Sequence, residues 1–155
     1  EQLNPKQPKM EKIKSKDKCG ELFAAHFTAY TNDELENEIR GNSEKSGYEI
    51  FKHLYINERY EKALLVLDTL DPSIINSEMV LLLKANSLMA IHNSNKAIPI
   101  LEKLIANKNS NYLNDAHWYL SLCYLEKGDV KNAKDILIKY VSHGDPRFRQ
   151  LLNKL

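Results

Sequence analysis

The sequence predicts an all-α fold, an α-α superhelix of three helical hairpins closed by a C-terminal capping helix. Three observations carry this. Ala63, Ala97 and Ala133 sit at the same point of a similar pattern, 34 and then 36 residues apart, and each opens an apolar run: ALLVLDTL, AIPILEKL and AKDILIKY. A period of that length is what stacked helical hairpins require, because each unit buries its apolar face on its neighbours. Glycine and proline are sparse, at 5 each, and 43% of residues are hydrophobic, a balance that suits an ordered helical chain. Turn and cap signals fall between the runs, at Asp71–Pro72, Gly128–Asp129 and Asp145–Pro146.

The elements follow in chain order. Residues 1–18 carry six lysines against three acids and little to bury, which reads as a flexible basic linker. An arm for anionic lipid or nucleic acid is the sharper reading, and the lack of arginine and aromatic residues weighs against it. Residues 19–46 form an N-terminal segment, in which Leu22, Phe23, Ala25, Phe27 and Tyr30 predict a short docking helix. Helix at Asp33–Ile39 and a turn at Gly41–Ser43 come next.

The three repeats occupy 47–142. The first has a helix from about Glu44 to Ile56, a turn at Asn57–Glu58 and a second helix to Leu70, ended by Asp71–Pro72. There Ala63, Leu64, Leu67 and Leu70 make one amphipathic stripe. The second runs from about Ser77 to Asn107 with its turn at His92–Asn95. Pro99 lies where that unit's second helix is already running, so the helix either begins late, near Asn95, or bends. In the third, Gly128 supplies a left-handed cap and Asp129 caps the next helix, which turns Ala133, Ile136, Leu137, Tyr140 and Val141 inward. Residues 143–155 form the capping helix, with Asp145 at its cap, Pro146 at its first position, and Phe148, Leu151, Leu152 and Leu155 on one face.

Charge and motifs narrow the function. The net charge is +1, so no bulk field draws the chain to nucleic acid or a membrane, and nucleic acid is not an expected partner. No window approaches the roughly 18 apolar residues of a membrane span. The chain starts at Glu1 rather than at a methionine, which leaves any targeting signal upstream and the compartment open. Cys123 lies in an apolar helical stretch and reads as a buried thiol. Cys19 lies among charges and reads as exposed, and no spacing pairs the two. The five histidines are scattered, and no HExxH, CxxC or GxSxG pattern occurs. Asp115 and His117 point to different faces of a helix, so no metal is expected. The reading is a non-enzyme without a cofactor.

Over about Ser46–Ser142 the chain resembles the tetratricopeptide repeat (TPR) family. Leu120, Ser121, Tyr124, Gly128, Asp129 and Ala133 carry the resemblance in the third unit, Tyr60 and Ala63 in the first, and Ala85, Ala97 and Leu101 in the second. Three departures stand out: Phe51 where the family has a small residue, His92–Asn93 in place of a glycine–acid turn, and Trp118 one place later than usual. The chain also looks like Bacteroidetes TPR proteins, in which a segment like ELFAAHFTAY precedes the repeats and a membrane anchor lies upstream. That likeness implies a tether in residues 1–18 and extracytoplasmic repeats.

The resemblance implies a protein–protein interaction scaffold that binds a peptide or helix in a concave groove lined by the first helix of each repeat. The positions implied are Tyr48, Lys52 and Tyr55, then Leu82, Asn86 and Met89, then Trp118, Leu122 and Leu125. Aromatic and methionine side chains there suit an extended or helical ligand. The contrasting expectation is a structural or homo-oligomerisation module, its groove filled by the chain's own Leu22–Tyr30, since monomers rarely leave large apolar patches open.

Overall fold

The computed structural model describes residues 9–37 and 46–155, with side chains from Lys18 onward other than those of Glu34 and Glu36. Among these residues the chain is all-α, with no β-strand. The helices are α1 (Lys9–His26), α2 (Asp33–Asn37), α3 (Gly47–Ile56), α4 (Tyr60–Leu67), α5 (Pro72–Ile75), α6 (Glu78–Ala90), α7 (Ser94–Ala106), α8 (Leu113–Glu126), α9 (Val130–Tyr140) and α10 (Pro146–Leu152). They form two compact units, whose boundary falls inside α8: one is Thr28–Leu120, the other joins the residues up to Phe27 with Ser121–Leu155.

In the first unit α3 packs on α4, α4 on α6 and α6 on α7. Its core gathers Leu35, Phe51, Tyr55, Ala63, Leu67, Val80 and Leu83. Two of the repeat alanines, Ala63 and Ala97, are fully buried here. A methyl-sized side chain at such a point leaves room for a neighbouring helix to pack closely. α3 opens with a capping box, Ser46 Oγ accepting from Glu49 N–H while the Glu49 carboxylate accepts from Ser46 N–H. α4 stops at Leu67, a turn before the expected Leu70. An unexpected short helix, α5, then uses Asp71 as its cap and Pro72 as its first residue. The Asp71 carboxyl is held below its ordinary range by hydrogen bonds from the Ser73 hydroxyl and amide. α7 begins at Ser94 and continues through Pro99, which sits on the exposed side of the helix.

The second unit buries Cys19, Phe23, Leu122, Cys123, Leu125, Ala133, Leu137, Tyr140, Phe148 and Leu151. α10 packs on α9, capped by Asp145, whose carboxylate accepts from Arg147 N–H and pairs with the Arg147 guanidinium at 2.6 Å. Three expectations change. Lys9–Lys18, part of the expected flexible linker, lie in α1, while residues 1–8 fall outside the described residues. Cys19 is buried rather than exposed, because it falls on the helix face that also carries Phe23, and burial raises its thiol pKa against the opposing pull of Lys18. The expected Leu22–Tyr30 helix is the end of α1, which stops at His26; Phe27 stacks on Phe23 at 5.2 Å and the next residues leave the helix. The helix expected at Asp33–Ile39 is α2 as far as Asn37; its last two residues and the turn at Gly41–Ser43 fall outside the described residues.

The hairpin turns share one geometry. Glu58, His92 and Gly128 each lie five residues before a repeat alanine, with φ of 57°, 58° and 75°. At each turn this residue's N–H bonds back three residues and the next N–H bonds back five: Glu58 to Tyr55 and Arg59 to Leu54, His92 to Met89 and Asn93 to Leu88, Gly128 to Leu125 and Asp129 to Tyr124. This is the Schellman closure, which satisfies the last helical carbonyls and asks for a left-handed residue. Glycine adopts that conformation freely; glutamate and histidine do so against steric resistance. Glu58→Gly is therefore expected to stabilise the chain by about 0.5–1 kcal/mol, and Gly128→Ala to destabilise it by about 1 kcal/mol. Thermal denaturation of the two variants checks both signs.

A pH effect follows from the second unit. Lys154 Nζ approaches His26 Nε2 at 3.1 Å, and burial, then the Lys154 charge, hold the imidazole pKa below its ordinary 6.5. The folded chain thus favours neutral His26, its Nε2 accepting from the ammonium. The stability that depends on neutral His26 is full above pH 6.5 and is lost as pH falls through the depressed folded value, burial contributing more than the Lys154 charge. Lys154→Met is expected to raise the His26 pKa, read by NMR titration of the ring protons, and to flatten the stability profile on the acid side.

Candidate functional site

The nine positions implied as groove-lining are mostly not free surface. Tyr55, Leu82, Asn86, Met89, Trp118, Leu122 and Leu125 are all 3% exposed or less, and Lys52 is 5% exposed. Tyr48 alone of the nine is half-buried, with the Lys52 ammonium 4.5 Å from its ring centroid, a cation–π contact.

Within the unit Thr28–Leu120, two of these residues hold a piece of the chain itself. After α1 the backbone runs without helix from Phe27 to Asn32. The Tyr119 hydroxyl on α8 donates to the Thr28 carbonyl at 2.9 Å. The Tyr30 amide donates to Asn86 Oδ1 on α6 at 3.0 Å, and the Tyr55 hydroxyl on α3 donates to the Tyr30 carbonyl at 2.8 Å. The segment therefore meets α8, α6 and α3 in turn. Relative to the repeat alanines, its three partners shift by about one helical turn at each step, so they make a diagonal track across the first helices.

Each partner is itself fixed. Asn86 Nδ2 donates to the Leu82 carbonyl one turn back at 3.0 Å, which orients the amide so that Oδ1 faces Tyr30. Tyr55 packs edge-on against Tyr60 at 5.6 Å and lies against Phe51. Burial, reinforced by Tyr119, Tyr60 and Tyr30, pushes the Tyr55 hydroxyl far above its ordinary value, against the lowering effect of its bond to the Tyr30 carbonyl. Tyr55 is thus a neutral donor at any working pH. The Tyr30 ring meets Tyr112 edge to face at 5.9 Å. Asn32 Oδ1 then caps α2 through the Leu35 amide at 2.8 Å, and Leu35, 2% exposed, anchors the segment's far end in the core.

Tyr55 and Asn86 are positions that the resemblance implies. Tyr119 is not: the implied position in the third unit falls on its neighbour Trp118. Tyr112 precedes α8 and carries no periodic signal. Among the described residues no group of three His, Cys, Asp or Glu side chains is placed to hold a metal ion, and no helix is long and apolar enough to cross a membrane. No family model, curated protein or solved structure matches this chain.

Proposed function

We propose that the chain is a TPR-like superhelical array acting as a non-catalytic protein-interaction scaffold, whose first helices hold an extended peptide. One observation carries the reading: side chains from three first helices grip the main chain of residues 28–30 at both N–H and C=O groups. Side-chain recognition of a backbone is what a peptide-binding groove requires, since main-chain bonds hold any sequence and pockets beside them choose among sequences. Selection of displayed random peptides on the purified chain and on a Tyr30→Pro variant, in which the docked segment is weakened, tests it. Enriched peptides that perturb the NMR signals of Tyr55 and Asn86 support the scaffold; enrichment no better than on an unrelated helical protein counts against it.

A second reading has its own support in the near-complete burial of the implied groove. In it the docked segment is permanent and the chain is a structural module that assembles with identical copies. A solution mass that rises with concentration, with no peptide selected, favours this reading.

A further inference from the structure

The segment Thr28–Asn32 is held in the manner of a ligand. Thr28 and Thr31 are exposed, while the Tyr30 main chain is clasped on both sides and its ring rests on Tyr112. The clasp reads one amide, two carbonyls and one aromatic ring, then an aliphatic side chain at Leu35. Its bonds are hydrogen bonds, and Asn86, Tyr55 and Tyr119 all lie on helices other than α1 and α2, which flank the segment. Resting on the scaffold reading above, we infer that this is an exchangeable peptide site whose partner is a segment extended around a tyrosine and then turning into a short helix that carries an aliphatic residue five places on. The chain's own TAYTNDEL occupies the site in the unliganded protein and competes with that partner.

The competition is intramolecular, so the tethered copy acts at an effective concentration in about the millimolar range. A peptide added from outside meets an occupied site and binds weakly until the tethered copy is weakened. Tyr30→Pro weakens it directly, because proline has no amide hydrogen for Asn86 and removes the ring that rests on Tyr112.

The test uses the full chain and a fluorescein-labelled TAYTNDEL peptide, with a scrambled peptide as control. The expected result is that the labelled peptide binds Tyr30→Pro at least about tenfold more tightly than the unaltered chain. Adding Asn86→Leu to that variant should abolish the gain. Equal affinity of the true and scrambled peptides for a Tyr30→Pro chain that keeps its helical circular dichroism overturns the inference. Should that variant unfold, amide exchange on the unaltered chain decides. Tyr30 amide exchange through local opening, faster than the α6 core, upholds an exchangeable segment. Exchange only through global unfolding overturns it. If displayed peptides bind elsewhere and TAYTNDEL does not bind at all, this inference falls while the scaffold stands. If TAYTNDEL binds in trans but no other peptide is ever selected, the exchangeable site stands and the scaffold reading falls.

Discussion

Phe51→Ala is expected to destabilise the chain by about 3–5 kcal/mol. Phe51 is 0% exposed and lies in the core with Leu35, Tyr55, Leu67 and Leu83. Truncation removes the transfer free energy of a whole ring and leaves a cavity that surrounding helices collapse into only partly. The substitution is a sharp one for a second reason. It puts a small residue where the TPR pattern expects one, matching the fully buried Ala85 and Ser121 of the other units. If the repeat pattern governed stability at this position, alanine would be tolerated; if local packing governs it, alanine costs a large share of the roughly 5–15 kcal/mol that holds a typical domain folded. Urea denaturation measures the difference. A loss below about 1 kcal/mol would mean that the ring does not fill this core.

Asn86→Leu is expected to cost about 2–3 kcal/mol, although it adds apolar bulk at a fully buried position. Leucine cannot accept from the Tyr30 amide, and an N–H has one proton and needs one acceptor. Left part-buried without one, it costs much of its desolvation penalty on top of the lost bond. Tyr55→Phe removes the matching donor to the Tyr30 carbonyl and is expected to cost less, about 1 kcal/mol, because removing the hydroxyl leaves an acceptor that tolerates under-satisfaction better. The order of the two losses is the test. Denaturation midpoints with Tyr55→Phe as costly as Asn86→Leu would show that the amide is not the critical group of the clasp. An Asn86→Leu chain as stable as the original, with its Tyr30 amide still protected from exchange, would show that Asn86 does not hold the segment.

Much of the fold was legible from local signals. The alanine period marked three core positions, and all three alanines are fully buried. Asp129 caps α9 through the Asn132 amide and Asp145 caps α10, as their place before a helix implies. Gly128 takes the left-handed turn it suggested. The same turn at Glu58 and His92 was less legible, because the hydrogen-bonded closure of the helix, rather than residue preference, sets the backbone there. Ser46 and Glu49 carry the spacing of a capping box, and with Ser46 as its cap α3 begins at Gly47. Apolar spacing alone pointed to a start near Glu44, which lies outside the described residues.

The candidate site was half legible. Tyr55 and Asn86 are among the positions that the resemblance to the TPR family implies, and periodicity alone would not have separated them from their helical neighbours. Tyr30 was legible only as part of the apolar segment Leu22–Tyr30 expected to fill the groove, and Tyr112 and Tyr119 carried no signal of their own. The amino-acid order by itself marked most of the helices, the Asp129 and Asp145 caps and the alanines that are buried, because a helix and its cap depend on residues within a turn or two of each other. Whether Asn86 and Tyr55 faced water or the chain's own backbone was decided only by the tertiary structure. Their partner at Tyr30 is 56 and 25 residues away, and no local preference of a non-helical segment says which helices will satisfy its amide and carbonyl.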